Sequence, residues 1–132
     1  MKKESVLNVL SSLGFIPEEL EGFGYRFEYE GLSVLYPVDD DTDTDCLTLI
    51  APNIFDITEE NRVAVLEAMV KLSGRMKYVQ PHIMFDKQVW LNYQHYLGQE
   101  EPTDDLVEHM IRVLAVSTIN FHKIINGEDN GN

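Results

Sequence analysis

Tyr25, Phe27 and Tyr29 alternate with Arg26, Glu28 and Glu30, the period-two pattern of a half-buried strand. Glu30-Gly31 breaks the run and Leu32–Tyr36 follows at once, which predicts a hairpin; Cys46–Ala51 reads as a third strand. Before these strands, Val6, Leu7, Leu10 and Leu13 fall on one helical stripe, so the first helix is expected over about Lys3 to Leu13, with Gly14 as its left-handed cap. After them, Asn53–Thr58 is expected to be a loop. Thr58, or alternatively Asp56, caps a second helix that presents Val65 or Leu66, Met69 and Leu72 and ends at Gly74.

Tyr78–Phe85 and Val89–Tyr96 read as a second hairpin around Asp86-Lys87-Gln88. Register is decided by the side chains, since a one-residue slip sends every residue to the other face. A three-residue loop pairs Phe85 with Val89, Ile83 with Leu91 and Pro81 with Tyr93, leaving one apolar face. Gln80, His82, Met84, Trp90, Asn92 and Gln94 then share the opposite face, and Pro81, with no N–H to donate, favours an edge strand or a bulge. Thr103 caps a last helix reaching about Ile125, with Leu106, Met110, Leu114, Ser117, Phe121 and Ile124 or Ile125 on one stripe. Val107, Ile111 and Val113 widen that apolar surface beyond what one sheet face needs. The expected fold is α+β: one antiparallel sheet in the order helix, three strands, helix, two strands, helix, forming one domain over 1–126 with a disordered tail at 127–132.

Composition narrows the partners. The 132-residue chain is 44% hydrophobic and 25% charged, enough for a core without disulfides or a structural metal. Its net charge of −13 argues against nucleic acid and anionic membrane surfaces, because phosphate binding needs clustered Lys and Arg. A basic protein partner is the positive corollary. No apolar run spans a bilayer and the amino terminus lacks a signal peptide's apolar block, so a cytoplasmic protein is expected. Cys46, the single cysteine, excludes an internal disulfide and is expected to be a buried, inert strand residue.

Candidate chemistry is sparse. Asp39, Asp40, Asp41, Asp43 and Asp45 form an acidic loop, and Asp41, Asp43 and Asp45 imitate the first three ligands of a calcium loop. In that register Cys46 replaces the sixth-position Gly and Pro52 the twelfth-position Glu, so a solvated loop, or a docking point for a basic partner, is expected instead of a metal site. His82, His95, His109 and His122 show no zinc spacing, and no nucleophile elbow or phosphate-binding loop occurs. No catalytic residue and no cofactor are expected.

In Leu13-Gly14-Phe15, Tyr25-Arg26-Phe27-Glu28-Tyr29-Glu30-Gly31, the Asp-rich loop, Leu49-Ile50-Ala51-Pro52-Asn53 and the long carboxy-terminal helix, the chain resembles the YbjN-type family of bacterial proteins and the type III secretion chaperones. The resemblance implies a small acidic fold and, from the chaperones, a dimer that holds an unfolded segment on hydrophobic patches. No residue here corresponds to a known effector contact.

The expected function is a non-catalytic protein-binding module, chaperone-like or regulatory, whose partner is basic or partly unfolded. His82, Met84, Trp90, Asn92 and Ile111 are the candidate partner-binding residues. A homodimer through the last helix or the Trp90 face is expected, because monomers seldom leave a large apolar patch in water. The alternative is a small metal-dependent enzyme or metal-binding domain using the Asp39–Asp45 loop.

Overall fold

The computed structural model of the chain describes residues 2–38 and 45–128. Its elements are α1 (Lys2–Ser12), β1 (Glu18–Leu20), β2 (Gly24–Tyr29), β3 (Leu32–Pro37), β4 (Cys46–Asp56), α2 (Arg62–Arg75), β5 (Val79–Met84), β6 (Gln88–Tyr96) and α3 (Asp104–Ile125). The strands form one antiparallel sheet in the order β1-β2-β3-β4-β6-β5. The α+β class and the order of helices follow the pattern of the sequence. Six strands replace the expected five, because the short β1 pairs with β2 through Glu18–Arg26 and Leu20–Gly24 without any apolar alternation of its own.

Turn chemistry sets much of this topology. Glu30 and Gly31 both have positive φ and link Tyr29 to its partner Leu32, the two-residue turn whose twist suits a hairpin. The end of α1 is fixed by Gly14 at φ 94°, with Gly14 N–H donating to Ser11 and Phe15 N–H to Leu10, both carbonyls that the helix leaves open. Phe15 then packs on Phe27, ring centres 4.9 Å apart, and so ties the helix exit to β2.

All three helices lie on one face. Phe27, Val34, Leu49, Ala51, Leu91 and Val79 point from successive strands into a core shared with Val6 and Leu10 of α1, Val65 and Leu72 of α2, and α3. Each fully buried Val, Leu or Phe side chain among these contributes about 1.5–3 kcal/mol. α3 supplies Val107, Met110, Ile111, Leu114, Ser117 and Phe121. The residues expected to widen its surface are therefore largely core: α3 lies against the sheet and both other helices, and Val107 and Ile111 are fully buried. Thr103 caps α3 as expected, its hydroxyl accepting from Leu106 N–H at 3.2 Å.

Three local expectations are corrected. Asn53–Asp56 is strand, because β4 continues along the nine-residue β6 after a register shift between Ala51 and Phe55. Pro52 cannot donate to the ladder, and a bulge accommodates it. α2 begins at Arg62, preceded by a turn in which Thr58 Oγ1 accepts from Asn61 N–H at 3.2 Å and Asn61 Oδ1 accepts from Thr58 N–H at 2.7 Å. The helix runs through Gly74 to Arg75 and buries Val65, Ala68 and Leu72, while Leu66 faces out.

Candidate partner-binding face

The side of the sheet away from the helices carries the residues that alternate with the core set. Arg26, Ser33, Thr48, Gln94, Asn92, Gln80, Trp90 and His82 belong to it, and none is fully buried. At its centre Leu35 and Ile50 pair across β3 and β4 and are buried outside the main core, so their cover comes from neighbours on the same face. Arg26 is one such neighbour, its guanidinium donating to Glu28 Oε1 at 2.7 Å and to Ser33 Oγ at 3.0 Å.

Trp90 is held at the β5–β6 end of this face. Its strand partner is His82, and Asn92 pairs with Gln80 one step along. The indole N–H donates to Gln88 Oε1 at 2.9 Å, which fixes the ring direction while leaving it half-buried. On the β4 side Trp90 lies between Val89 and Leu91, the two residues that bracket the register shift, so the bulged segment of β4 is its neighbour there. Bulges of this kind re-aim side chains and interrupt the regular cover of a sheet.

The hairpin tip completes the patch. The loop is Phe85-Asp86-Lys87, with Met84 opposite Gln88, Ile83 opposite Val89 and Pro81 opposite Leu91. It has the expected three residues but sits one position earlier, so each pairing moves by two and both faces keep their expected membership. Phe85 changes role: it is 68% exposed, has φ 56°, and meets Trp90 edge-on at 6.1 Å. Its place in the loop rests on a turn that no Gly or Asn signals, which is why the pattern assigned it to the core. Two tethers hold the tip, Ile57 N–H donating to Lys87 O at 2.8 Å and Arg62 donating to Asp86 O at 3.1 Å.

His82, Met84, Trp90 and Asn92 thus share one face, as expected. Ile111 does not join them: it is 0% exposed in the core beneath the opposite face, where α3 needs an apolar residue. Of the acidic loop, Asp39, Asp40, Asp41 and Asp43 lie outside the described residues; Asp45 O accepts from Leu97 N–H at 2.7 Å. Among the described residues no group of three or more His, Cys, Asp or Glu converges as metal ligands would. Cys46 is exposed at the first position of β4, contrary to the buried thiol expected, because it alternates with core Leu47 and pairs with the exposed Tyr96. No described helix is long and apolar enough to cross a membrane.

No family model matches the sequence, and no curated protein matches it. Solved structures do. An uncharacterized protein from Methanothermobacter thermautotrophicus matches with a TM-score of 0.61 and 11% identity, over 97% of this chain and 99% of that one. YbjN from E. coli, described as a candidate transcription regulator, matches with a TM-score of 0.63 and 10% identity, over 92% of this chain and 87% of that one. At such identities the likeness is one of architecture, and the chain has a YbjN-like fold.

Proposed function

We propose that the protein is a non-catalytic protein-binding module, chaperone-like or regulatory, that receives an extended or partly unfolded segment of a protein partner on the helix-free face of its sheet. The observation that carries this reading is Phe85. A bulky side chain in the left-handed region costs on the order of 1–2 kcal/mol, and here it is spent on holding an aromatic ring in water beside Trp90. Fold stability gains little from such an arrangement, whereas aromatic anchors flanked by Met and His are what partner surfaces use. The acidic composition adds a preference for basic segments, and a cytoplasmic setting belongs to the same proposal. The secretion-chaperone side of the sequence resemblance enters here only, as one form that such a module can take.

The test compares Phe85→Asn and Trp90→Ala with the unmodified protein in binding a denatured, basic test chain by calorimetry. Asn tolerates positive φ, so Phe85→Asn should raise the melting temperature while weakening binding about tenfold, equivalent to 1.4 kcal/mol. Binding unaffected by both substitutions would refute the proposal.

A further inference from the structure

The negative charge of the chain is unevenly spread. From Ala68 to Gln99 the sequence holds Lys71, Arg75, Lys77 and Lys87 against a single acid, Asp86, although the net charge is −13. Within this stretch a recess of about 200 Å³ is lined by Lys77, Tyr78, Gln80, Asn92 and Gln94, the three amides standing on the helix-free face. Its origin is the start of the edge strand: the β5 ladder begins at Val79–Tyr93, so Gln94 has Thr48 of β4 on one side and no β5 partner on the other. Tyr78 is steadied there by stacking on Tyr93, ring centres 6.1 Å apart. The lining is polar and unsatisfied. Among the described residues Lys77, Gln80 and Asn92 make no side-chain hydrogen bond or ion pair, and Gln94 makes only a long one, Nε2 donating to Thr48 Oγ1 at 3.4 Å. No Asp or Glu belongs to it.

We infer that this recess takes the free carboxylate at the end of the bound segment, so that the partner chain is held by its carboxy terminus. The inference rests on the reading of this face as a segment-binding surface and names the end of the segment that the face receives. A carboxy terminus presents two oxygens that only accept and, beside them, a peptide N–H that donates. Lys77 supplies an ammonium, and the amides of Gln80, Asn92 and Gln94 supply both N–H donors and carbonyl acceptors, so each need has a counterpart. An internal stretch of peptide brings no charge for Lys77. A phosphate carries nearly twice the charge of a carboxylate and is matched by Arg forks, which this lining lacks. Spacing agrees with a terminal residue: Gln80–Asn92 and His82–Trp90 are successive rows of this face, about 6.8 Å apart, and side chains two residues apart in an extended segment repeat at the same distance. With the carboxylate in the recess, the residue two before the end stands over Trp90. Basic residues further upstream still suit the acidic remainder of the chain.

The test uses short fluorescent peptides of Lys and Ser with one Phe two residues before the end, which is either a free carboxylate or a carboxamide, and reads binding by anisotropy. The free acid should bind about tenfold more tightly than the amide, and Lys77→Gln should erase the difference by weakening the free acid alone. Lys77 is exposed, so this substitution should leave the circular dichroism unchanged. Moving the Phe to the penultimate position should weaken the free acid, because neighbouring side chains of an extended segment point to opposite faces. The inference is overturned if the amide binds as tightly as the free acid, if Lys77→Gln weakens both peptides alike, if the position of the Phe is immaterial, or if neither peptide binds while a denatured test chain does. Trp90→Ala separates this from the underlying reading: test-chain binding that still depends on Trp90 leaves the proposed function standing without the carboxylate recess, and test-chain binding indifferent to Trp90 removes both.

Discussion

His82 and Trp90 face each other across β5 and β6 on the side of the sheet that no described helix covers. Both positions stand on the face where a partner can use them, which ties the edge hairpin to the proposed function. Because the hairpin is also the edge of the sheet, loss of the pair should leave the core intact. His82→Ala is predicted to shift the thermal midpoint by no more than a surface substitution does, within about 0.5 kcal/mol, while reducing test-chain binding. A large loss of stability would mean that the pair is structural.

Gly24 makes the opposite prediction. At φ 154° its missing side chain lets β2 pass the end of β3, and an added Cβ would fall 2.1 Å from Tyr36 O and 2.8 Å from Val38 N. Both are backbone atoms and cannot swing away. Gly24→Ala should destabilise by about 2 kcal/mol or more in urea unfolding; a change below about 0.5 kcal/mol would show that the strand end yields easily.

Ser117 is the buried polar exception in α3, its hydroxyl 0% exposed and without a hydrogen-bond partner among the described residues. An unsatisfied buried hydroxyl costs about 1–3 kcal/mol, and alanine is also the better helix former. Ser117→Ala is therefore expected to stabilise the fold by about 1 kcal/mol. Destabilisation would point to an ordered water or a partner group at that oxygen.

Tyr36 gives the alkaline limb of stability. Burial first, and then its neighbour Tyr25, push the phenol from 10.0 to about 12. Because the folded value lies above the unfolded one, Tyr36 costs nothing below pH 10, and stability falls progressively as pH rises from 10 towards 12. Tyr93 is pushed in the same direction by burial and by Tyr78, so it adds to the loss. Tyr36→Phe should flatten this limb in unfolding measurements; an unchanged slope would assign the alkaline loss to other groups.

How far the sequence revealed the molecule depends on which residues carried the signal. Tyr25, Phe27 and Tyr29, Glu30-Gly31, Gly14 and Thr103 each express a local rule, and the structure follows each of them. β1 has no such rule: Glu18 and Glu19 are held only by a neighbour across the sheet. The same is true of Asn53–Asp56, which β6 recruits although Pro52 and Asn53 read locally as loop. At the candidate site, parity placed His82, Met84, Trp90 and Asn92 together. Parity could not decide where the turn fell, and that decided Phe85; nor could a stripe on α3 reveal that Ile111 would be buried in the core.

Cys46 offers a simple check of the sheet's orientation. As an exposed thiol it should react with a disulfide reagent in the native protein at the rate of a small free thiol of similar acidity. Reaction only after unfolding would place the thiol inward and with it reverse the two faces of β4.

The most direct measurement of the central claim uses Trp90, the only tryptophan in the chain, as its own reporter. Acrylamide quenching of its emission is followed with and without a saturating denatured test chain that lacks tryptophan. If the helix-free face receives the segment, Trp90 is quenched readily in the free protein and becomes protected, with a shift of its emission to shorter wavelength, in the complex. Complex formation with quenching and emission unchanged would contradict the account, because the segment would then be bound elsewhere.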